Sequence, residues 1–208
     1  MYQPEVTVTS AAKVKAILGP DFPNQTAKVI DHIDVHCRVW IERCPFIVVS
    51  SINAAGAMDT SPKGDPPGFV KVLDRHTLAI PDRKGNHRGD TFLNVLENPS
   101  VGIIFIIPIR REVVRVSGTA LLARDPDLLA TMAVNGKLPH IAMIVRVKEA
   151  FFHCGKSMIR SGMWEPGRWG SIDGLPTYAQ ALKDHGALAD SLEDLQAICD
   201  FNEARRLY

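Results

Sequence analysis

The chain has 208 residues, 46% of them hydrophobic, which is enough for one good core and short for two. Its 24 Lys plus Arg against 23 Asp plus Glu give a formal net charge of +1, so no global basic field holds a nucleic acid backbone. The first ten residues do not show the basic start followed by an apolar run that is typical of a signal peptide. No apolar stretch is long enough to cross a bilayer. We therefore expect a soluble cytoplasmic protein without nucleic acid or membrane partners.

Apolar residues at helical spacing predict two N-terminal helices, at 10–18 and 25–43. Runs rich in β-branched residues then predict strands. Six are readable, at 46–52, 69–73, 77–80, 101–107, 112–122 and 141–152. Short helices with capping residues interrupt them at 90–97 and 126–134. Because long helical crossovers are lacking, the pattern indicates a mainly antiparallel barrel decorated by helices, an α+β fold.

The chain divides into three parts. Residues 1–44 form N-terminal helices that pack on the barrel, 45–165 form the barrel domain, and 166–208 form a loop and a helix. After Trp164 several glycines and prolines precede a final helical segment at about 188–206. A loop of this length in a small protein usually serves a partner or a site.

The cysteines and histidines do not define a metal site. The four cysteines lack the spacing of zinc sites or disulfide scaffolds, so we expect free thiols at Cys37, Cys44, Cys154 and Cys199. His32 and His36 stand one helical turn apart, but no third ligand is evident. Structural or surface histidines are therefore favoured over a metal pair.

Two loops, 59–65 and 81–88, bracket one short hydrophobic segment and together could hold a phosphate. They combine hydroxyls, cations and glycines that let the backbone approach an oxyanion closely. The alternative for 81–88 is a solvated charged turn. A strand end, a Gly-Asn turn and an arginine before a helix favour the phosphate site.

The Gly155-Lys156-Ser157 segment follows a strand and opens a helix, as a P-loop does. The leading glycine of that motif would have to stand at Ala150, inside the strand, so a nucleotide triphosphatase is excluded. Lys156 and Ser157 then form either a small anion site at the helix start or a plain cap. No nucleophile elbow, zinc-peptidase helix or dinucleotide motif is present, and the sequence identifies no catalytic residue.

An ordered set of motifs between about residues 33 and 166 resembles the pyridoxamine 5′-phosphate oxidase-related flavoproteins. The motifs are Asp59-x-Ser61-Pro62-x-Gly64-Asp65, Ile80-Pro81-Asp82-Arg83-x-Gly85-Asn86-x-Arg88-x-Asp90, Asn98-Pro99-x-Val101-Gly102, Arg115-Val116-x-Gly118-x-Ala120, Phe152-His153-Cys154-Gly155-Lys156-Ser157 and Arg160-Ser161-x-x-Trp164. The sequence is most similar to the FMN-binding branch rather than to the oxidase proper. The oxidase ends with a Trp and an Arg that close over the flavin, and residues 195–208 contain no clear counterpart.

The resemblance implies a split β-barrel homodimer with two FMN sites at the subunit interface. One subunit would contact the flavin and its phosphate through Asp59, Thr60, Ser61, Lys63, Arg83, Lys84, Asn86, His87 and Arg88. The partner subunit would contribute Glu112, Arg115, Lys156, Ser157, Arg160 and Trp164.

The function implied is that of an FMN-dependent oxidoreductase acting on a small molecule, with a nicotinamide as a possible electron donor. One alternative is a flavin carrier without turnover. Another is a split barrel that holds deazaflavin or haem, the latter with an axial ligand at His36, His87 or His153.

Overall fold

The computed structural model describes residues 1–208 and contains seven strands, eight α-helices and one short 3-10 helix. The strands are β1 (Phe46–Ile52), β2 (Met58–Gly64), β3 (Lys71–Asp74), β4 (Thr77–Pro81), β5 (Ser100–Ile106), β6 (Val113–Ala123) and β7 (Ala142–His153). The helices are α1 (Ala11–Leu18), α2 (Pro23–Ala27), α3 (Val35–Glu42), α4 (Asp90–Glu97), α5 (Pro126–Ala130), α6 (Lys156–Ser161), α7 (Tyr178–Gly186) and α8 (Leu192–Arg205), with the 3-10 helix at Pro166–Arg168. None of the helices is both long and apolar enough to span a membrane.

The strands form one sheet in the order β2-β1-β5-β6-β7-β4-β3, and every pair is antiparallel. The edge strands β2 and β3 do not pair with each other, so the sheet stays open along one seam. Buried residues of five strands nevertheless belong to a single core cluster, around which the sheet curls. The predicted antiparallel, α+β split β-barrel is confirmed.

The core follows from the alternation of apolar side chains along the strands. In β1, Ile47 and Val49 are fully buried, while their neighbours point to the outer face. Helix α3 closes the core with Trp40, whose indole Nε1 donates to the carbonyl of Phe105 at 3.3 Å. The Trp40 ring also meets Phe152 edge to face at 5.3 Å. This helix is the N-terminal element that joins the barrel core, since α1 and α2 bury no residue.

The predicted helix at 25–43 is wrong as a single element. Helix α2 ends at Ala27 and α3 begins at Val35, where the Asp34 side chain accepts a hydrogen bond from the Cys37 amide. Between them Ile30 exchanges two backbone hydrogen bonds with Ala150 of β7, at 3.1 and 2.7 Å. This distant pairing overrides the helical periodicity of the segment.

Other boundaries also differ from the prediction. The helix expected at 126–134 ends at Ala130, because Val134 and Lys137 form a β-bridge around a tight turn. The segment expected as one helix at 188–206 begins later, at Leu192, after a Ser191 cap that accepts from the Asp194 amide. Helix α7 was not predicted, and it packs on α8 through a separate small apolar cluster.

Candidate functional site

A cavity of about 710 Å³ lies at the open seam of the barrel. Its walls are β2, the end of β4, the loop at 82–89 and the start of α4. This volume lies within the range of small-molecule and cofactor sites. Nine of the predicted site residues line it: Asp59, Thr60, Ser61, Lys63, Arg83, Lys84, Asn86, His87 and Arg88.

Strand β2 offers the cavity both side chains and free backbone groups. Its side chains alternate in exposure, so half-buried Asp59, Ser61 and Lys63 share one face. Strand β2 pairs only with β1. At the two ends of this pairing, the Asn53 amide donates to the Ala57 carbonyl and the Asp65 amide donates to the Pro45 carbonyl. These two bonds fix which residues of β2 are hydrogen-bonded to β1. The alternation leaves the backbone groups of Thr60 and Gly64 directed away from β1, along an open edge.

Lys63 is a half-buried cation in the lining of the cavity. Its Nζ lies 3.4 Å from the Ser61 hydroxyl and 5.2 Å from the centre of the Phe92 ring. Burial lowers the pKa of Lys63, and the charges of Asp82 and Asp59 oppose that shift. Burial in turn raises the pKa of Asp82. The cavity therefore holds a lysine and an aspartate that both bear a cost of desolvation in their charged forms.

Helix α4 is fixed to the sheet by two side-chain hydrogen bonds. The buried Thr91 hydroxyl donates to Asp59 of β2 at 2.7 Å. One turn later, the Asn94 amide donates to the Ser51 hydroxyl of β1 at 3.1 Å. These bonds hold the start of the helix, and the loop before it, at the mouth of the cavity.

The loop at 82–89 presents exposed cations and unpaired amides. His87 and Gly89 adopt positive φ values of 60° and 69°, with Arg88 between them. Alternation of φ sign is the backbone pattern found in anion-binding concavities. The Asn86 side chain steadies the turn by accepting from the Arg88 amide at 3.0 Å. The amides of residues 84–87 donate to no protein acceptor.

Arg83 was predicted as a phosphate contact. In the structure its guanidinium donates hydrogen bonds to protein groups. Its Nε donates to Asp65 at 2.5 Å, and its Nη2 donates to the Met132 carbonyl at 2.7 Å. The Asp65 side chain is only 1% exposed, so the charge of Arg83 is compensated inside the protein. Arg88 is exposed and pairs with Asp90 at 2.7 Å, which raises the pKa of the guanidinium. Lys84 has no carboxylate partner.

Six predicted residues lie outside the cavity: Glu112, Arg115, Lys156, Ser157, Arg160 and Trp164. They gather where β6 begins, β7 ends and α6 follows. The Trp164 indole donates to the Arg110 carbonyl at 2.7 Å, and the Arg115 guanidinium lies 5.1 Å from the Phe151 ring centre. Pro81, which lines the cavity, pairs with Ala142, the first residue of β7. The six residues outside the cavity lie near the last residue of β7, His153. Eleven residue steps of β7 amount to roughly 36 Å along the strand.

Sequence reasoning missed several cavity residues. Phe92 and Thr91 lie on the inner side of α4, a position that the helical period of 90–97 could have indicated. Asp82 belongs to the family motif that begins at Ile80, but it was not predicted as a site residue. His140 lies in a connecting segment before β7, and nothing in its local sequence marks it. No three His, Cys, Asp or Glu side chains come together as metal ligands, and His32 instead contacts Asp31 at 2.8 Å.

An open antiparallel barrel with a polar cavity at its seam defines the class of protein, a split β-barrel. The sequence model of the pyridoxamine 5′-phosphate oxidase family matches residues 33–154. This match covers more than half of the chain, and the chain belongs to that family. The resemblance drawn from the sequence motifs is thereby confirmed.

Comparison with curated protein sequences gives no match. Among solved structures, HupZ of Group A Streptococcus is 19% identical with a TM-score of 0.48, over 58% of this chain and 93% of that chain. An FMN-binding protein of Syntrophomonas wolfei is 8% identical with a TM-score of 0.44, over 55% and 82%. HutZ, the heme storage protein of Vibrio cholerae, is 12% identical with a TM-score of 0.43, over 59% and 94%.

Proposed function

We propose that this chain binds FMN in the seam cavity and acts, as a homodimer, as an FMN-dependent oxidoreductase on a small molecule. The observation that carries the proposal is the meeting of two features in one cavity. One is an exposed loop with free amides and cations, and the other is the open backbone edge of β2. Membership of the pyridoxamine 5′-phosphate oxidase family supports the choice of a flavin as the ligand.

The phosphate end of the ligand belongs at the loop. Lys84 and Arg88 are exposed there, and the amides of residues 84–87 are free to donate. Helix α4 begins two residues after Arg88, so its N-terminal amides add positive potential at the same place. Arg83 contributes by holding the loop rather than by neutralising the phosphate, because Asp65 already balances its charge.

The ring end of the ligand belongs along β2. The free N–H groups of Thr60 and Gly64 can donate to ring or ribityl oxygens, and Pro62 between them offers no N–H. When bound, FMN supplies hydride transfer at its N5 position. Lys63 would hold a positive charge beside β2, where it would stabilise negative charge on a bound ring. Its ammonium lies 5.2 Å from the centre of the Phe92 ring.

The charge balance of the cavity lining supports the dimer part of the proposal. Four cations line it, against three lining aspartates and the Asp65 that neutralises Arg83. A phosphate carries about −1.5 to −2 charge at pH 7, so cations from a second chain would strengthen its binding. Arg115, Lys156 and Arg160 are exposed at the far end of β7, outside this cavity, where they are accessible to a neighbouring copy. The outer face of β1 and β5 exposes Phe46 and Ile104, apolar side chains that suit a symmetric interface.

The test begins with the absorbance spectrum of the purified protein, before and after FMN is added. Fluorescence quenching gives the FMN dissociation constant, and anaerobic NADH or NADPH tests reduction. We expect K84Q and R88Q each to weaken FMN about tenfold, since each removes a charged contact to phosphate. K148Q removes an exposed lysine on β7, outside the cavity, and is the matched control.

Each result decides one part of the proposal. A flavin spectrum that bleaches with a nicotinamide supports the oxidoreductase, whereas bound flavin that no donor reduces favours a carrier. A haem or deazaflavin spectrum, or no flavin affinity at all, overturns the assignment of FMN. Sedimentation velocity tests the dimer, and R115Q with R160Q tests whether the remote group contributes to flavin affinity.

A further inference from the structure

Tyr208 lies 143 residues after Asp65 in the sequence, yet its hydroxyl donates to the Asp65 carboxylate at 2.6 Å. The segment that follows α8 thus returns to the wall of the seam cavity. The Lys137 ammonium also donates to the main-chain oxygen of Tyr208 at 3.0 Å and holds the backbone of that residue. Tyr208 is therefore anchored at both its side chain and its main chain.

The Asp65 carboxylate needs both of its donors. One oxygen accepts from Tyr208 and the other accepts from the Arg83 Nε at 2.5 Å, while the side chain is 1% exposed. A buried carboxylate is costly unless its lone pairs are satisfied. The Arg83 guanidinium also lies 6.0 Å from the Tyr208 ring centre, within cation–π range. Tyr208, Asp65 and Arg83 therefore form one unit.

Arg83 anchors the N-terminal end of the loop at 82–89 through its side chain. Its Nη2 donates to the Met132 carbonyl, and its neighbour Asp82 is held by a backbone bond to Ile141. From Lys84 to His87 the chain makes no further backbone hydrogen bond before α4 begins. The position of this free stretch, which includes Lys84, depends on where Arg83 is held.

We infer that Tyr208 is a positioning residue for the anion-binding loop, acting through the Asp65–Arg83 pair. The inference rests on the proposed FMN site for its effect on ligand binding, but the contact chain itself is independent of the ligand. The raised pKa of the Tyr208 hydroxyl, caused first by its bond to Asp65, agrees with this arrangement. The segment after α8 thereby becomes part of the ligand site without lining the cavity.

The first test measures FMN affinity in Y208F, which removes the hydroxyl and keeps the ring. We expect the dissociation constant to rise by up to about tenfold, because the energy of one hydrogen bond to a charged group is the most that the displaced loop can lose on binding. R83Q weakens FMN as well, and in that background Y208F adds less than a further factor of about two, because coupled residues are not additive. Y178F, at an exposed tyrosine on α7, leaves the affinity unchanged.

A second readout needs no ligand. The Arg83 Nε–H group is hydrogen-bonded to a carboxylate that is only 1% exposed, so we expect its NMR signal to exchange slowly with water in the wild type and faster in Y208F. R83Q identifies the signal by its disappearance. Should Y208F prove unstable, K137Q releases the backbone of the same tyrosine and gives a milder version of both effects.

The outcomes separate this inference from the proposed function. If the wild type does not bind FMN, the proposed function fails, and the Arg83 exchange rate alone judges the role of Tyr208. An unchanged exchange rate in Y208F overturns the inference. It is also overturned if Y208F weakens FMN equally in the wild-type and R83Q backgrounds, because Tyr208 would then not act through Arg83.

Discussion

Asp65 and Arg83 form a buried ion pair of 2.5 Å that joins the end of β2 to the loop after β4. The Asp65 side chain is 1% exposed and that of Arg83 17%. Strands β2 and β4 lie on opposite sides of the open seam, so this ion pair connects the two walls of the cavity. Arg83, which the sequence suggested as a ligand contact, therefore stabilises the protein itself.

Replacing Arg83 by methionine should therefore destabilise the fold. R83M leaves the Asp65 carboxylate buried without its cation, and we expect a loss of about 3–5 kcal/mol in the free energy of unfolding. Urea denaturation measures it. The exposed Lys15–Asp21 pair is the matched control, and K15M should cost about 0–1 kcal/mol. Equal effects at the two sites would show that burial does not govern the Arg83 pair.

Gly118 should not tolerate a side chain. It stands at the register shift between β6 and β7, and a Cβ there would lie 2.0 Å from the Arg146 carbonyl oxygen. We expect G118A to lose about 2–4 kcal/mol of stability, because the β7 backbone must move to admit it. Thermal unfolding measures the loss. G102A in β5 meets nothing within 4 Å and serves as the control. Equal stability of the two variants would contradict this account.

The Thr91 hydroxyl should matter for the attachment of α4 to β2. T91V keeps the shape of the side chain but removes the donor to Asp59, so we expect a loss of about 1–3 kcal/mol, measured by urea denaturation. T91S retains the hydroxyl and should recover most of that stability. If T91S is as unstable as T91V, the missing methyl group and not the hydrogen bond is responsible.

The four cysteines should differ in reactivity. Cys154 is exposed, whereas Cys37, Cys44 and Cys199 are buried. Burial raises the pKa of Cys37 to about 12 and that of Cys44 to about 11, so both remain neutral thiols at pH 9. We expect a thiol reagent to label one cysteine rapidly in the native protein at pH 8 and pH 9, and all four in denaturant. Rapid labelling that persists in C154A would contradict this expectation.

The strands could be predicted from sequence because alternating β-branched and apolar residues are a local signal. All six strands that were read from the pattern exist, with shifted ends, but strand β2 (Met58–Gly64) occupies a segment that was predicted as a loop, 59–65. The sequence of β2, with Pro62 and Lys63, lacks a strong strand pattern. The break after Ala27 could not be predicted, because it depends on the pairing of Ile30 with Ala150.

For the cavity, residue types and motif order were sufficient to select the segments at 59–65 and 81–88, although the first is a strand and not a loop. Hydroxyls, cations and glycines near a helix start are recognisable in the chain itself, because they suit an oxyanion wherever they fold. Which cations remain available was a different matter. Arg83 and Arg88 look equivalent in sequence, but Asp65 and Met132 hold the first, while the second stays exposed beside Asp90.

The sequence by itself determined the fold class, the family and the two segments that meet at the seam, because these depend on local periodicity and on ordered motifs. Only the tertiary structure decided which charges are already paired and which residues share the cavity. It placed Trp164 and Arg160 at the far end of β7, and it brought Tyr208 to Asp65. Such contacts join residues far apart in the chain, and burial, which no local pattern contains, sets their energies.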